Sequence, residues 1–331
     1  MAKRRIHGTL PTVQRLDGVS MFIRPVFFLA TLLLAGPAGA DQSQAQVVYT
    51  GLCEASAAVS LGTNAGRRFF AVASDEVNIL RSYDLDVGGI GASHDIGPFT
   101  GFAKSDIEGG ARIGDIIWWI SSHSFTSSHK DKKDRRILLA TRIDWRTEGP
   151  ELAPVGMAQD LRDGIAAATG AAASDLNIEG LAAGADGALL IGLRAPLSGG
   201  KAQILPLRNP GQVLQGAQAD FGSALAVDLG GYGIRSLELL EDGRYLVVAG
   251  PVPDGSDAFR LYLWDGSTEN PEPLSTPPLD GLRPEAAFQA EDGTIMLLSD
   301  DGDACAARGL SDDQPENAGE RRFRWIRIDL P

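Results

Sequence analysis

An internal repeat is the feature of this 331-residue sequence that most constrains its fold. Four segments align without gaps: DIEGGARIGD (106–115), NIEGLAAGADG (177–187), GIRSLELLEDG (233–243) and RPEAAFQAEDG (283–293). A fifth begins as LCEASAAV at position 52, with about five or six extra residues before its apolar run. Repetition at such intervals is typical of folds built from one supersecondary unit used several times.

Each repeat contains the same order of apolar segments. Ten residues after the aligned position begins WWIS, LLIGL, YLVVAG or IMLLS, with FAVAS in the first repeat, and such runs indicate buried strands. Third strands are expected at NILRSYDL, RILLATRIDW, AQILPLRN, FRLYLWDG and RFRWIRIDL, and weaker fourth strands at SHDIG, PELAPVG, ALAVDLG and PEPLSTP. The last repeat ends at its third strand, so QVVYT (46–50) is expected to close the last blade.

Four-stranded antiparallel units at intervals of 54, 71, 56 and 50 residues predict an all-β fold, a β-propeller with five visible blades. The longest interval contains the alanine-rich stretch 157–174, which we interpret as a helical insertion. A sixth, degenerate blade in this stretch is the alternative. Because a ring of blades cannot be divided, 41–331 is expected to form a single domain.

The N-terminal segment has the pattern of a secretory signal peptide. Arg24 precedes an apolar run, 26–35, that is too short to span a bilayer, and Ala38-Gly39-Ala40 suits cleavage after Ala40. Met21 is an alternative translation start. We therefore expect residues 1–40 to be removed and the product to be periplasmic or secreted, with no membrane insertion after cleavage.

The predicted mature chain is strongly acidic. Removing the five basic residues and one acidic residue of 1–40 leaves 25 basic and 42 acidic residues, a net charge of −17. Such a surface repels nucleic acid, which argues against a nucleic-acid partner. It is compatible with cations or a small polar ligand, and the sequence predicts no particular oligomeric state.

The aligned position defines a candidate inner ring. Its residues are Glu54, Glu108, Glu179, Arg235 and Glu285, each followed by a small residue. The first strand of a propeller blade lines the central channel, so these side chains are expected to meet at one channel mouth. Clustered carboxylates need an offsetting positive charge, and oxygen ligands favour a hard divalent cation. The sequence predicts that the four glutamates bind Ca²⁺, or less favourably Mg²⁺; the alternative is that they lock the ring without any ligand.

Fifteen residues after the aligned position, at the end of the second strand, a second set of residues is expected at the same mouth. The members are Asp75, His123, Arg194, Gly250 and Asp300. If the protein is an enzyme, Arg194 and Arg235 would hold an anionic ligand group, and His123 or a glutamate would transfer the proton. The alternatives are a polar loop position for His123, an ion pair for Arg194 and a turn for Asp300.

The two cysteines, Cys53 and Cys305, lie in the first and last repeats. These repeats are neighbours in a closed ring, and exported proteins with two cysteines commonly join them. We predict a disulfide that stabilises ring closure by on the order of 4 to 5 kcal/mol.

The segments GLCEASAAV, DIEGGARIGD with IIWWISSHS, NIEGLAAGADGALLIGLRAP and GGYGIRSLELLEDG resemble a bacterial family called domain of unknown function 3616. This resemblance carries no activity or catalytic residue. The E-G-L-A element is similar to elements of phytase-like esterase propellers and, more loosely, of gluconolactonase-type propellers that hold calcium in the channel. These similarities concern the fold and the position of the site. If the protein is an enzyme, we expect hydrolysis of an ester, lactone or phosphoester; the alternative is a non-catalytic binding or scaffold propeller whose glutamates and arginines form a salt-bridge network.

Overall fold

The computed structural model describes residues 47–252, 258–275 and 279–330. Five separate antiparallel sheets follow one another along the chain, four of them with four strands and the last with three. The inner strands of successive sheets contact one another, and those of the last sheet contact those of the first. The predicted five-bladed β-propeller is therefore confirmed. The predicted signal peptide lies outside the described residues.

The strands occupy the following ranges. The first blade contains β2 (Ala57–Asn64), β3 (Arg67–Ala73), β4 (Ile79–Asp84) and β6 (Ala92–Asp95), and a separate two-stranded sheet contains β1 (Tyr49–Thr50) and β5 (Gly89–Ile90). The second blade contains β7 (Ile107–Ile113), β8 (Ile116–Ser121), β9 (Ile137–Trp145) and β10 (Pro150–Gln159). The third contains β11 (Asn177–Ala183), β12 (Leu189–Ser198), β13 (Lys201–Leu207) and β14 (Leu225–Val227). The fourth contains β15 (Gly233–Leu239), β16 (Tyr245–Gly250), β17 (Arg260–Trp264) and β18 (Glu272–Pro273), and the fifth β19 (Pro284–Gln289), β20 (Ile295–Ser299) and β21 (Trp325–Ile328).

Helices are short and lie between strands. They are α1 (Gly97–Thr100), α2 (Arg162–Thr169), α3 (Pro210–Val213) and α4 (Gly302–Ala306), with 3₁₀ turns at Lys133–Arg135, Ala173–Asp175, Ala185–Gly187 and Pro315–Asn317. In the ranges that the structure describes, every helix is too short or too polar to cross a bilayer. The stretch 157–174 contains the end of β10 and then α2, which confirms the helical insertion in place of a sixth blade.

The hydrophobic core of the described residues contains six clusters. Five of them each lie between two neighbouring blades, and a small sixth one consists of Cys53, Cys305 and Leu310. Trp118 and Trp119 show how one strand serves two clusters. Trp118 packs toward the third blade, whereas Trp119, on the opposite face of β8, packs toward the first. Because alternating residues of a strand point to opposite faces, each blade contributes to both of its interfaces, and the apolar runs of the sequence are buried on both sides.

The N-terminal segment corrects one prediction. It does not form the fourth strand of the last blade, whose sheet has only β19, β20 and β21. Instead, β1 pairs in parallel with β5, and Thr50 makes a single antiparallel bridge to Arg322. Tyr49 is fully buried against Phe70 and Phe323, so the aromatic ring fills the interface between the first and last blades. Hydrophobic packing at the seam thus replaces most of the expected backbone pairing.

Candidate functional site

A β-bulge sets the direction of the aligned side chain in four blades. In the second blade Ile107 pairs with Ser121 and Gly109 with Ile120, so Glu108 has no partner in the ladder. The register shifts in the same way at the aligned residues Glu179, Arg235 and Glu285. A bulge bends the strand and re-aims one side chain, which explains how polar residues leave strands that are otherwise buried. The sequence alignment located this position but not the bulge.

The small residue after each aligned position allows the inner strands to approach closely. A Cβ on Gly180 would lie 2.7 Å from Ile234 Cγ2 of the next blade, and one on Gly109 would lie 3.0 Å from Leu181 Cβ. Contacts below about 3 Å between carbon atoms are strongly repulsive. Glycine at these positions therefore holds adjacent blades together near the channel axis.

The third, fourth and fifth blades form an ion-paired sector, which we define as Glu179, Arg194, Arg235 and Glu285. Arg235, only 2% exposed, lies 2.9 Å from Glu179 through Nη1 and donates to Glu285 through Nη2. Arg194 donates to Glu179 Oε1 at 2.9 Å and to the Pro251 carbonyl at 3.2 Å. Two carboxylates are matched here by two guanidinium groups, as the ring-locking alternative requires.

The first and second blades form an acidic sector, which we define as Glu54, Asp75, Asp106 and Glu108. The carboxylate oxygens of Asp75, Asp106 and Glu108 lie within 4.8 Å of one another. The carboxylate oxygens of Glu54, Asp75 and the exposed Glu76 form a second group, also within 4.8 Å of one another. Asp75 therefore belongs to both groups. One hard cation can bridge oxygens at this separation.

Basic side chains reach the edge of the acidic sector. Arg135 lies 3.0 Å from Asp106, and Lys104 pairs with Glu76. Glu54 and Glu108 have no ion pair with a basic residue in the described ranges, because the nearby guanidinium groups of Arg194 and Arg235 contact other carboxylates. Acidic side chains without an ion-pair partner are therefore concentrated on the side of the first two blades.

Burial and mutual repulsion favour the protonated acids of this sector. Burial, reinforced by the adjacent Asp75, raises the pKa of Glu54 to about 10. Burial and the charges of Asp75 and Asp106 hold the pKa of Glu108 well above its usual value. Burial raises the pKa of Asp106 to about 6 against the opposing charge of Arg135. A bound divalent cation would relieve this repulsion and favour the ionised carboxylates.

The backbone beside Glu54 is held by a segment of the last blade. Asp312 accepts hydrogen bonds from the backbone N–H groups of Cys53 at 2.7 Å and Glu54 at 3.2 Å. The predicted disulfide joins Cys53 to Cys305 in α4, with a Cα–Cα distance of 6.0 Å. A segment between β20 and β21 is thus fastened to the start of the first blade at this mouth.

The residues at the ends of the second strands have different surroundings. Asp300 accepts from the Gly302 amide at 2.8 Å, and burial raises its pKa to about 6, with a contribution from the charge of Asp75. A Cβ on Gly250 would lie 2.7 Å from Arg235 Cγ, so glycine makes room for the arginine chain. Asp75 accepts from Ser56 Oγ at 3.2 Å. Asp300 is therefore close enough to the acidic sector for the charge of Asp75 to act on it.

His123 is fully buried and has a positive φ of 54°. Its Nδ1 lies 2.9 Å from the Ser121 carbonyl oxygen, and its charged neighbours are Arg136, Asp160 and Arg162. Burial lowers the pKa of His123 to about 4, which keeps the ring neutral. The described contacts of this histidine are with the loop and the helical insertion, and none is with the four acids of the acidic sector.

Two members of the acidic groups were missed at the sequence level. Asp106 precedes Glu108 by two residues, has a positive φ of 50° and accepts from Ser122 Oγ. Glu76 directly follows Asp75 at the end of the second strand. The D-I-E spacing was a usable signal, because residues two apart in an extended strand point to the same side. It becomes informative only with Asp75 of the first blade beside both carboxylates.

Comparison with known proteins supports the family resemblance. The model of a family described as "Protein of unknown function (DUF3616)" matches residues 159–288, which confirms the resemblance over that range. No curated protein matches the chain significantly.

Three solved structures show the extent of the fold similarity. Kuenenia stuttgartiensis hydrazine synthase is 10% identical over 87% of this chain (TM-score 0.40), and this chain spans only 66% of that one. The PQQ-bound aldose sugar dehydrogenase of Streptomyces coelicolor is 14% identical over 77% of each chain (TM-score 0.42). A putative glucose dehydrogenase of Thermus thermophilus is 12% identical over 85% of this chain and 99% of its own (TM-score 0.43). These values are too low to transfer an activity to this chain.

Proposed function

We propose that this protein is an exported β-propeller that binds a divalent cation, Ca²⁺ in preference to Mg²⁺, in the acidic sector. The observation that carries the proposal is the approach of the Asp75, Asp106 and Glu108 carboxylate oxygens to within 4.8 Å of one another. In the described ranges, Arg135 is the one basic side chain that forms an ion pair with these carboxylates, and the charge of Lys104 acts on Asp75 and Asp106 without an ion pair. Carboxylate oxygens are the ligands that Ca²⁺ prefers, and water can complete its coordination.

The proposed ligands differ from those expected from the sequence alone. Glu108 is retained as a ligand, Asp75 and Asp106 take the place of Glu179 and Glu285, and Glu54 is left out of the ligand set because its raised pKa favours the protonated acid. The replacement follows from the ion-paired sector, because Arg235 contacts both Glu179 and Glu285. Export is supported by the leader pattern and by the disulfide between Cys53 and Cys305.

The chemistry best suited to such a site is hydrolysis of an ester, lactone or phosphoester of a small polar or anionic substrate. A bound cation would supply Lewis acidity to the carbonyl or phosphoryl oxygen. Glu54, whose pKa is raised to about 10 by burial and Asp75, is a candidate to donate a proton to the leaving oxygen. His123 is less suitable for that role, because its ring is buried.

The test of cation binding is thermal unfolding of the protein in EDTA, Ca²⁺ and Mg²⁺. A cation that binds only the folded protein stabilises it, by about 2.7 kcal/mol when the free cation is at 100 times its Kd. Because we propose that Ca²⁺ binds more tightly than Mg²⁺, we expect Ca²⁺ to raise the melting temperature more. Asp75→Asn should abolish the shift because Asp75 belongs to both carboxylate groups. Glu148→Gln, which removes an exposed carboxylate elsewhere, should retain it.

A melting temperature that is the same in EDTA and in both cations would refute the cation site. An Asp75→Asn variant that keeps the full Ca²⁺ shift would refute its location. If Ca²⁺ binds, a panel of ester, lactone and phosphoester substrates tests hydrolysis. We expect Glu54→Gln to lower kcat at least about tenfold while the protein remains folded.

A non-catalytic scaffold is the second candidate, and the ion-paired sector favours it. Arg235 joins Glu179 and Glu285 across three blades while remaining buried, which is the arrangement of a structural network. This function predicts no turnover on any substrate of the panel and partner binding through the outer loops. Turnover that depends on Glu54 would exclude it.

A further inference from the structure

The opposite end of the channel contains a second polar cleft. Its volume is about 390 Å³, and its lining comes from the inner strands of four blades and the turn that follows β7. Arg112 is four residues beyond Glu108 on β7, and Ala183 is four residues beyond Glu179 on β11. At about 3.3 Å per residue, this cleft lies roughly 13 Å along the strands from the acidic sector. It is therefore a separate site.

A basic and an acidic side chain, Arg112 and Glu238, line this cleft without pairing to each other. Burial raises the pKa of Glu238 to about 8, and a ligand ammonium group beside it would favour the ionised carboxylate. Arg112 donates through Nε to the Gly114 carbonyl at 2.8 Å and through Nη1 to the Ser60 carbonyl at 3.4 Å. Glu238 accepts through Oε1 from the backbone N–H of Gln289 at 3.2 Å. These backbone contacts hold the two side chains in place, and within the described residues no ion pair connects them.

The remaining lining supplies apolar surface and a hydroxyl group. Val59, Ala183 and Leu239 border the cleft together with Ser60. Ser60 donates its hydroxyl hydrogen to Glu291 Oε1 at 2.9 Å and accepts from the Gly62 backbone N–H at 3.3 Å, which leaves one lone pair of its oxygen for a further hydrogen bond. The cleft thus combines one acid, one guanidinium group, one acceptor and a small aliphatic wall.

We propose that this cleft binds a small zwitterion of the α-amino-acid class, with the ligand carboxylate on Arg112 and the ligand ammonium on Glu238. A guanidinium group recognises a carboxylate by charge-assisted hydrogen bonds, and a carboxylate accepts from an ammonium group in the same way. A ligand that carries both charges satisfies both side chains at once. The aliphatic wall favours an apolar side chain, and the volume is within the usual range for small-molecule sites.

The test is calorimetric titration of the full chain with L-alanine, L-leucine and L-glutamate. For L-leucine, two single-charge analogues separate the contributions: 4-methylpentanoate lacks the ammonium group, and 3-methylbutylamine lacks the carboxylate. We expect saturable binding of L-leucine and at least about tenfold weaker binding of each analogue, because each loses one charge-assisted contact.

Variants identify the site. Arg112→Gln and Glu238→Gln should each weaken L-leucine binding by at least about tenfold. The amide oxygen of the Glu238→Gln side chain can still accept from Gln289, so the fold should be kept, as circular dichroism and the melting temperature will show. Glu241→Gln removes an exposed carboxylate three residues beyond Glu238 that does not line this cleft, and it should leave binding unchanged.

No saturable binding of any of the three amino acids at millimolar concentration would overturn the proposal. So would equal affinity for L-leucine and its single-charge analogues, or unchanged binding in both cleft variants. The cation site does not enter this test: Asp75→Asn should bind L-leucine like the wild type. A failure here therefore leaves the cation site unaffected, and the reverse also holds.

Discussion

At the scale of single residues, equivalent positions of the repeat have different chemical roles. Glu179 and Glu285 contact Arg235, whereas Glu54 and Glu108 belong to the acidic sector. Replacement of one glutamate by arginine in the fourth repeat therefore divides the ring into two halves. The repeat predicted where these side chains are, but the partner of each depends on the neighbouring blades.

The raised pKa of Glu54 predicts a pH dependence of stability in the absence of divalent cations. A carboxyl with a raised pKa stabilises the folded state in its protonated form, and this contribution is lost as the pH rises toward its folded pKa of about 10. In EDTA we therefore expect the free energy of unfolding to fall between pH 7 and pH 9. Glu54→Gln should show a smaller fall and greater stability than the wild type at pH 9.

Urea unfolding in EDTA at both pH values measures this effect. The range from pH 7 to pH 9 lies above the ordinary pKa of histidine. The lowered pKa values of His94 and His123 therefore contribute little to the change in the free energy of unfolding over this range. Parallel curves for Glu54→Gln and the wild type would contradict the assignment.

At the scale of elements, the bulge and the glycine that follows it act together. The bulge directs the ionic side chain out of the ladder, and the glycine lets the next blade approach. The five apolar runs and four weaker outer strands were predictable because they follow local hydrophobic patterns. The bulges were not, because a register shift depends on pairing with another strand.

Gly180→Ala tests the close approach of neighbouring blades. The added methyl group would lie 2.7 Å from Ile234 Cγ2 and 3.2 Å from Leu237 Cβ, so we expect a loss of about 1–3 kcal/mol in the free energy of unfolding. Gly211→Ala is the matched control, because no atom lies within 4 Å of its added methyl group. Equal stability of the two variants, measured by urea unfolding, would show that the interface has room.

At the scale of the whole molecule, ring closure combines three contributions. The first and last blades share a hydrophobic cluster with Tyr49, a single bridge joins Thr50 to Arg322, and a disulfide joins Cys53 to Cys305. The last blade has no fourth strand in the described ranges, so packing and the covalent bond are more important at this seam than backbone pairing.

Removal of the disulfide tests its contribution to closure. We expect the Cys53→Ser/Cys305→Ser double variant to lose about 2–5 kcal/mol of stability, because the crosslink restricts a long loop in the unfolded chain. Unfolding of both proteins under non-reducing conditions measures the difference. A reducing agent should destabilise the wild type and leave the double variant unchanged, and a double variant as stable as the wild type would exclude this role.

The sequence by itself determined the five repeats and their order, the cysteine pair and the aligned ionic positions. These follow from apolar patterns and spacings that are repeated along the chain. The structure then excluded a sixth blade within the described residues. The tertiary structure alone decided that Glu179 and Glu285 pair with Arg235, that Asp106 joins Asp75 and Glu108, and that His123 is buried away from the four acids. The physical reason is that ion pairing and desolvation depend on distances of a few ångströms between different blades, which no local pattern specifies.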